Sequence, residues 1–339
     1  MKKPFAYWVI SFVLGFMLAI FNPAQVKGAQ AKKIGMAVEF MDHAACAYVA
    51  RDKGWFKQAG LNISSYESYV TGIALAAALA RGDIQAAYLC LVPAINVFAN
   101  AGVKIKIVAG THKYGYGLVV DPHKVKTVKD LENQGVRIGC VREGGAVDVL
   151  LNKTMEKFHL SRRKILPRIQ RMNPPNQVLA IKMARLDAAF LPEQWATMAE
   201  ACGFRMLLTA RDLWPNMQGS VLVVKEGLIE RQPEAVQKLV EVTRSATQWI
   251  NSNRDEAAAI LARQLSAAQR HIFPTKAARS VSSLQITPRV LLKSMARLEY
   301  ETNIADQGVQ DIIDYVARLG YIAAPFPAHH ILDLRFVSQ

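Results

Sequence analysis

Two stretches of the chain repeat one another in the order of their parts. Residues 78–108 read ALARGDIQAAYLCLVPAINVFANAGVKIKIV, and residues 181–209 read IKMARLDAAFLPEQWATMAEACGFRMLLT. Each carries the end of a helix, an Ala-Arg-x-Asp step, an Ala-Ala-aromatic strand, a Pro-containing loop, a second helix, a Gly and another strand. Strands alternating with helices build an α/β layer structure around a sheet. The repetition predicts two similar α/β domains rather than one long sheet. At 339 residues the chain is long enough to give each a core, and 51% hydrophobic with 20% charged residues is a globular balance.

The flanking sequence fits that frame. Ile34 to Val38 is an apolar strand, and Ala47, Val49 and Ala50 recur at helical spacing after it. Gly54 stops that helix, Gly60 makes a second break, Leu61 to Ser64 starts a new strand, and a polar stretch follows from Ser64 to Thr71. Helices are expected at 73–80, 94–100, 146–158 and 174–184, and strands at 84–92, 103–109, 117–120, 136–141, 165–171 and 219–225. Thr127 and Asp130 have capping-box spacing, as do Asn253 and Glu256. From Pro233 onward the pattern is helical, with Val236, Leu239, Val240, Thr243, Ala246 and Ile250 on one face. The first domain is expected to comprise residues 32–120 and 221–339, with a helical C-terminal extension, and the second residues 121–220. The hinges then fall at about 118–121 and 219–223.

The stretch YVARDKGWFKQAGLNI, residues 48–63, resembles the opening of the periplasmic solute-binding proteins of ABC importers for nitrate, sulfonates, taurine and thiamine pyrimidine precursors. ALARGDIQAAY, VKTVKDLENQGVRIG and PEAVQKLVEVTRSATQWI follow in that family's order, so the resemblance covers roughly residues 34–262. It implies a two-domain α/β binding protein of type II-like architecture, with the ligand cleft between the domains. It implies capture of a small anionic or heterocyclic solute by hinge closure, and delivery to an ABC permease in the inner membrane. It implies no enzyme activity and no cofactor, and the protein is expected to be a monomer. The same fold resembles some enzymes, of the pyrimidine-precursor and menaquinone-pathway types; those pyrimidine synthases carry a cysteine cluster that this chain lacks. A ligand-sensing partner of a membrane receptor is a third reading.

The first residues suit export. Lys2-Lys3 precedes an apolar run from Phe5 to Phe21, and Ala29-Gln-Ala31 follows. This layout predicts a secretory signal over residues 1–31, cleaved after Ala31, with no cysteine nearby to carry a lipid, and so a free periplasmic protein. The formal charge is +15, of which residues 1–31 supply three Lys and no acid. The charge is spread, with no basic run interleaved with aromatics, so no nucleic-acid partner is expected. Cys46, Cys90, Cys140 and Cys202 form no C-x-x-C pair, which argues against a zinc or thioredoxin-like site. Four buried free thiols are expected; Cys46–Cys90 is the pair to consider if one forms.

Ligands of open α/β sheets sit beyond the carboxyl ends of the strands. Those ends bring forward Glu39, His43, Gly72, Cys90, His112, Arg142, Gly144, Gly145, Asn173, Glu193 and Trp195 as candidate solute contacts. Each has a plainer alternative: Glu39 and His43 as helix caps, His112 as a solvated loop histidine, Trp195 as a helix core residue. Arg142 is the main cation among them and suits a carboxylate or sulfonate. Glu39 and His43 suit a polar heterocycle, and Trp195 offers a stacking face. Glu193 follows a strand end in the Pro-Glu setting of the resembled binding loop. Glu143-Gly-Gly departs from the Gly-Ser or Gly-Thr common in the family, which removes a hydroxyl. No G-x-S-x-G, Walker loop, H-E-x-x-H or G-x-G-x-x-G is present, and no catalytic residue or metal ligand is assigned.

Overall fold

The computed structural model describes residues 33–273 and 284–337. The expected signal segment lies outside the described residues. The strands are β1 (Ile34–Glu39), β2 (Ile63–Tyr69), β3 (Ala86–Cys90), β4 (Ile105–Tyr114), β5 (Tyr116–Val120), β6 (Ile138–Cys140), β7 (Ile169–Arg171), β8 (Ala188–Pro192), β9 (Arg205–Thr209), β10 (Gln218–Lys225) and β11 (Leu298–Glu299). The helices are α1 (Ala45–Asp52), α2 (Trp55–Gln58), α3 (Gly72–Arg81), α4 (Leu91–Ala101), α5 (Ala146–Lys157), α6 (Arg162–Ile165), α7 (Pro174–Lys182), α8 (Glu193–Ala201), α9 (Ala210–Leu213), α10 (Glu226–Arg231), α11 (Pro233–Ser252), α12 (Arg254–Ile272), α13 (Pro288–Met295) and α14 (Asp306–Arg318).

These strands form two sheets, in the orders β11-β4-β10-β3-β1-β2 and β7-β6-β8-β5-β9. Leaving out the short β11, the sheets have one topology. β1 is parallel to β2 and β3, as β6 is to β7 and β8. β10 runs antiparallel between β3 and β4, as β5 does between β8 and β9. The repeat seen in the sequence therefore extends to five strands of each sheet. The inserted antiparallel strand comes in each case from the chain segment that joins the halves.

The chain changes sheet at Gly115, whose φ of +87° suits only glycine comfortably. It returns between Thr209 and Gln218. Residues 118–120 and 219–223 are therefore inside strands of the second and first sheet, so the expected hinge positions do not coincide with the crossings.

Local chemistry explains most boundaries. Gly54, Gly82 and Gly102 take left-handed conformations where α1, α3 and α4 end. Thr127 and Asp130 form a capping box, over a 3-10 turn rather than an α-helix. Asn253 does not: its Nδ2 donates back to the Trp249 carbonyl, and Glu256 pairs with Lys53 instead. The polar stretch from Ser64 to Tyr69 continues β2. β2 is the sheet edge and only partly buried, so polar side chains suit it. The stripe of α11 is buried as expected. The Tyr88 hydroxyl donates to Thr243 at 2.8 Å, and Thr243 donates to the Leu239 carbonyl, so this polar contact against β3 is satisfied within the core. The four cysteines are free; Cys46, Cys90 and Cys140 are buried, but Cys202, past the end of α8, is exposed. Among the described residues no helix is long and apolar enough to cross a membrane.

Candidate functional site

The carboxyl ends of β1, β3, β6, β7 and β8 converge on a cavity of about 690 Å³, a size usual for a small-molecule site. Its walls come from both sheets. Glu39, Met41, the segment from Val70 to Ala74, Ala77, Cys90 and Pro93 belong to one side; Val141, Arg142, the segment from Gly145 to Val147, Arg171 to Pro174 and Pro192 belong to the other, with Tyr116 just past the crossing. Most of this lining is apolar.

Helix starts supply the polar directions. α3 begins at Gly72 after Thr71, whose side chain accepts from Ala74, and α5 begins at Ala146 after Gly145. Both first turns line the cavity, one from each half. The first backbone N–H groups of a helix have no intrahelical acceptor, and the helix dipole adds positive potential there. Gly72 is required by crowding: a Cβ there would stand 2.1 Å from Glu39 Oε1 and 2.9 Å from Pro93 Cγ.

The second-sheet wall carries two guanidiniums. Arg171 is half-buried and oriented by the Val141 carbonyl at 2.7 Å, by the fully buried Asp148 and by Glu143 at 3.3 Å. Arg142 is exposed at the rim, and among the described residues it is in no ion pair.

The first-sheet wall is acidic and neutral instead. Glu39 is fully buried; its Oε2 accepts from the Cys90 thiol at 3.0 Å, and its Oε1 has no partner. Among the described residues no Lys or Arg pairs with it. Burial pushes its carboxyl up to about 7, against the thiol's hydrogen bond. Asp42, also fully buried, is likewise raised by burial to about 7. Burial, and then Glu39, push the Cys90 thiol well up. The His43 ring lies behind Cys90. Its Nε2 is 2.8 Å from the Gly115 carbonyl, which only accepts, so Nε2 carries the proton and Nδ1 offers a lone pair, 3.7 Å from Cys90 Sγ. Burial and the neighbouring His112 hold His43 well below the ordinary imidazole range.

Of the residues singled out in the sequence, Glu39, Gly72, Cys90, Arg142, Gly145 and Asn173 line the cavity. The others do not. β4 runs on to Tyr114, so His112 sits inside a strand, buried with its ring centre 4.3 Å from that of His43 and tilted against it, with burial lowering it to about 4. Gly144 accepts from Asn96 through its carbonyl at 2.8 Å and ties the loop before α5 to α4. Glu193 is buried and turned away into a pair with the partly buried Arg297 at 2.8 Å, and it also accepts from Thr197 at 2.9 Å. Trp195, two residues and about 200° further round the helix, is fully buried and packs on Phe40 at 6.0 Å. Sequence reading missed Arg171, Tyr116 and Met172. Arg171 ends a strand that was expected, and that position was its available signal.

No curated protein matches the chain. Solved structures do. The ligand-binding component of an ABC-type import system from Staphylococcus aureus, solved with zinc bound, superposes with a TM-score of 0.73 at 18% identity, over 91% of this chain and 98% of that one. The alkanesulfonate-binding protein SsuA from Xanthomonas axonopodis pv. citri, bound to MOPS, gives 0.72 at 16% identity, over 90% and 99%. The periplasmic nitrate-binding protein NrtA from Synechocystis PCC 6803 gives 0.71 at 14%, over 91% and 88%. At these identities the likeness is one of fold: a two-domain α/β architecture with two sheets. Residues 27–266 match the model of the NMT1-like family, most of the chain, and on that match the chain belongs to the NMT1-like family.

Proposed function

We propose that the protein is an extracytoplasmic solute-binding component of an ABC importer, that it captures a small organic anion with an apolar body, and that it passes the solute to a membrane permease unchanged. One observation carries this reading. The first turns of α3 and α5 meet across a mostly apolar cavity of about 690 Å³, with Arg142 and Arg171 on one wall. Such an arrangement suits a carboxylate or sulfonate on helix N–H groups and a guanidinium fork, with the rest of the molecule desolvated. The two sheets, with the chain crossing at Gly115 and again between Thr209 and Gln218, form the cores of two domains that close on the solute. A solute touching both walls gains contacts only on closure, so binding favours the closed state. The likeness to structures described as import-system, alkanesulfonate-binding and nitrate-binding proteins supports the class of function.

A thermal-shift panel of aliphatic and aromatic sulfonates, aromatic carboxylates, taurine, nitrate and pyrimidines tests the reading. A true solute at 100 times its Kd stabilises the protein by about 2.7 kcal/mol and is recovered intact by mass spectrometry. A flat panel, or recovery of a chemically altered compound, overturns the reading.

A further inference from the structure

The wall formed by the first sheet holds three metal-ligating groups to which the capture reading gives no role. Glu39, His43 and Cys90 are all buried, and their donor atoms lie within 4.8 Å of one another. Cys90 Sγ is 3.0 Å from Glu39 Oε2 and 3.7 Å from His43 Nδ1. Tetrahedral zinc with bonds of about 2.0–2.3 Å sets neighbouring donors about 3.3–3.8 Å apart, so small side-chain adjustments suffice.

Three further features point the same way. The Nε2–H of His43 is committed to the Gly115 carbonyl, which leaves Nδ1 as the free lone pair and orients the ring, as outer hydrogen bonds do around metal-bound histidines. Ser220 Oγ stands 3.6 Å from Cys90 Sγ and supports the sulfur from behind. Glu39 Oε1 is buried with no partner, and a buried carboxylate without a cation beside it is costly. A divalent ion would supply that missing charge.

We propose that Glu39, His43 and Cys90 form a three-ligand site for a borderline divalent transition ion of the Zn²⁺ and Co²⁺ class, with its fourth position open to the cavity. One oxygen, one imidazole nitrogen and one sulfur are a donor set for such an ion rather than for Mg²⁺ or Ca²⁺. Glu39 and Cys90 line the cavity while His43 stands behind them, so the open coordination position faces solvent or solute. On binding, the ion replaces the Cys90 thiol proton, which leaves through the cavity; Glu39 gives up its proton where it carries one. The site holds the ion with or without a solute.

The test is titration of metal-stripped full chain with Co²⁺ alone, followed by optical absorption, with Zn²⁺ as competitor. One equivalent is expected to bind, with a thiolate-to-cobalt charge-transfer band in the near ultraviolet. Cys90→Ser is expected to lose that band and to bind at least ten-fold more weakly. Glu39→Gln and His43→Gln keep the thiolate but bind at least ten-fold more weakly. The His329→Ala/His330→Ala variant, which removes an exposed histidine pair, is expected to bind as wild type. Far-UV circular dichroism of each apo variant reports folding, and the near-isosteric Glu39→Gln serves if Cys90→Ser does not fold. No stoichiometric Co²⁺ binding, or an unchanged band in folded Cys90→Ser, overturns the proposal. The solute panel run in parallel on metal-stripped protein separates the two ideas: a solute that binds while Co²⁺ does not sinks the metal site and leaves the capture reading standing.

Discussion

The two halves share a strand order and differ in how they treat buried charge. In the second half every fully buried acid has a cation. Asp187 is held by Arg137 at 2.7 Å and Lys124 at 2.5 Å, Asp148 by Arg171, and Glu193 by Arg297. In the first half Glu39 and Asp42 are just as buried and have none, among the described residues. The equivalent turns show the contrast. Cys90 ends β3 and presents its thiol to the cavity beside Glu39; Pro192 ends β8, and Glu193 after it is turned into the Arg297 pair. One topology thus yields a braced, cationic wall and an unbraced, acidic one. A scaffold settled by backbone pairing leaves the strand ends free to differ, and there the ligand chemistry resides.

The largest expected effect comes from breaking the brace. Glu193→Ala should leave Arg297 partly buried with only Glu200 to meet it, at a cost of about 2–3 kcal/mol in urea unfolding, with solute affinity changed little. A stable variant with lost affinity would instead make Glu193 a solute contact.

Asp187 gives the next. Burial works to raise its carboxyl, but the Arg137 and Lys124 hydrogen bonds outweigh it and hold it well below the usual range. A lowered folded value means stabilisation that is complete above the unfolded value, about 3.9, and lost as pH falls below it. Asp187→Asn should cost about 1.5–3 kcal/mol at pH 7 and flatten the acid limb of stability. An acid limb identical to wild type would show that this brace does not govern it.

Arg171→Gln should weaken solute binding by about ten-fold, or 1.4 kcal/mol, by calorimetry, and should also loosen Asp148. Unchanged affinity would place the anionic end elsewhere. Gly72→Ala is the mildest change for affinity. It pushes the buried Glu39 and Pro93 aside at the mouth of α3, so an affinity loss of about three-fold, roughly 0.6 kcal/mol, is expected together with a lowered apo melting temperature, as overpacking costs about 1–3 kcal/mol.

Much of the scaffold could be read from residues. The Ala-Arg-x-Asp and Ala-Ala-aromatic steps mark β3 and β8, the strands that carry Cys90 and Pro192 to the cavity. Gly54, Gly82 and Gly102 mark helix ends because only the backbone conformation matters there. The start of β2 was legible but not how far it runs, because an edge strand need not alternate in polarity. The site was harder. Strand ends point to Glu39 and Arg142 by position alone, whereas facing the cavity or facing away depends on how far a strand runs and how a helix is rotated. His112 was misplaced because β4 extends five residues past Ala109, and Trp195 because α8 turns it into the core. The unbraced state of Glu39 is a three-dimensional fact with no local signature.

The central claim is that the solute's anionic end lies on the cationic wall. Arg142 tests it most directly, since it is exposed and in no ion pair among the described residues, so its loss should not disturb the fold. The measurement is calorimetric titration of the best panel solute into wild type and Arg142→Gln, with the apo melting temperature of each. The account expects at least ten-fold weaker binding, about 1.4 kcal/mol, at an unchanged melting temperature. Equal affinity in the two proteins would contradict it.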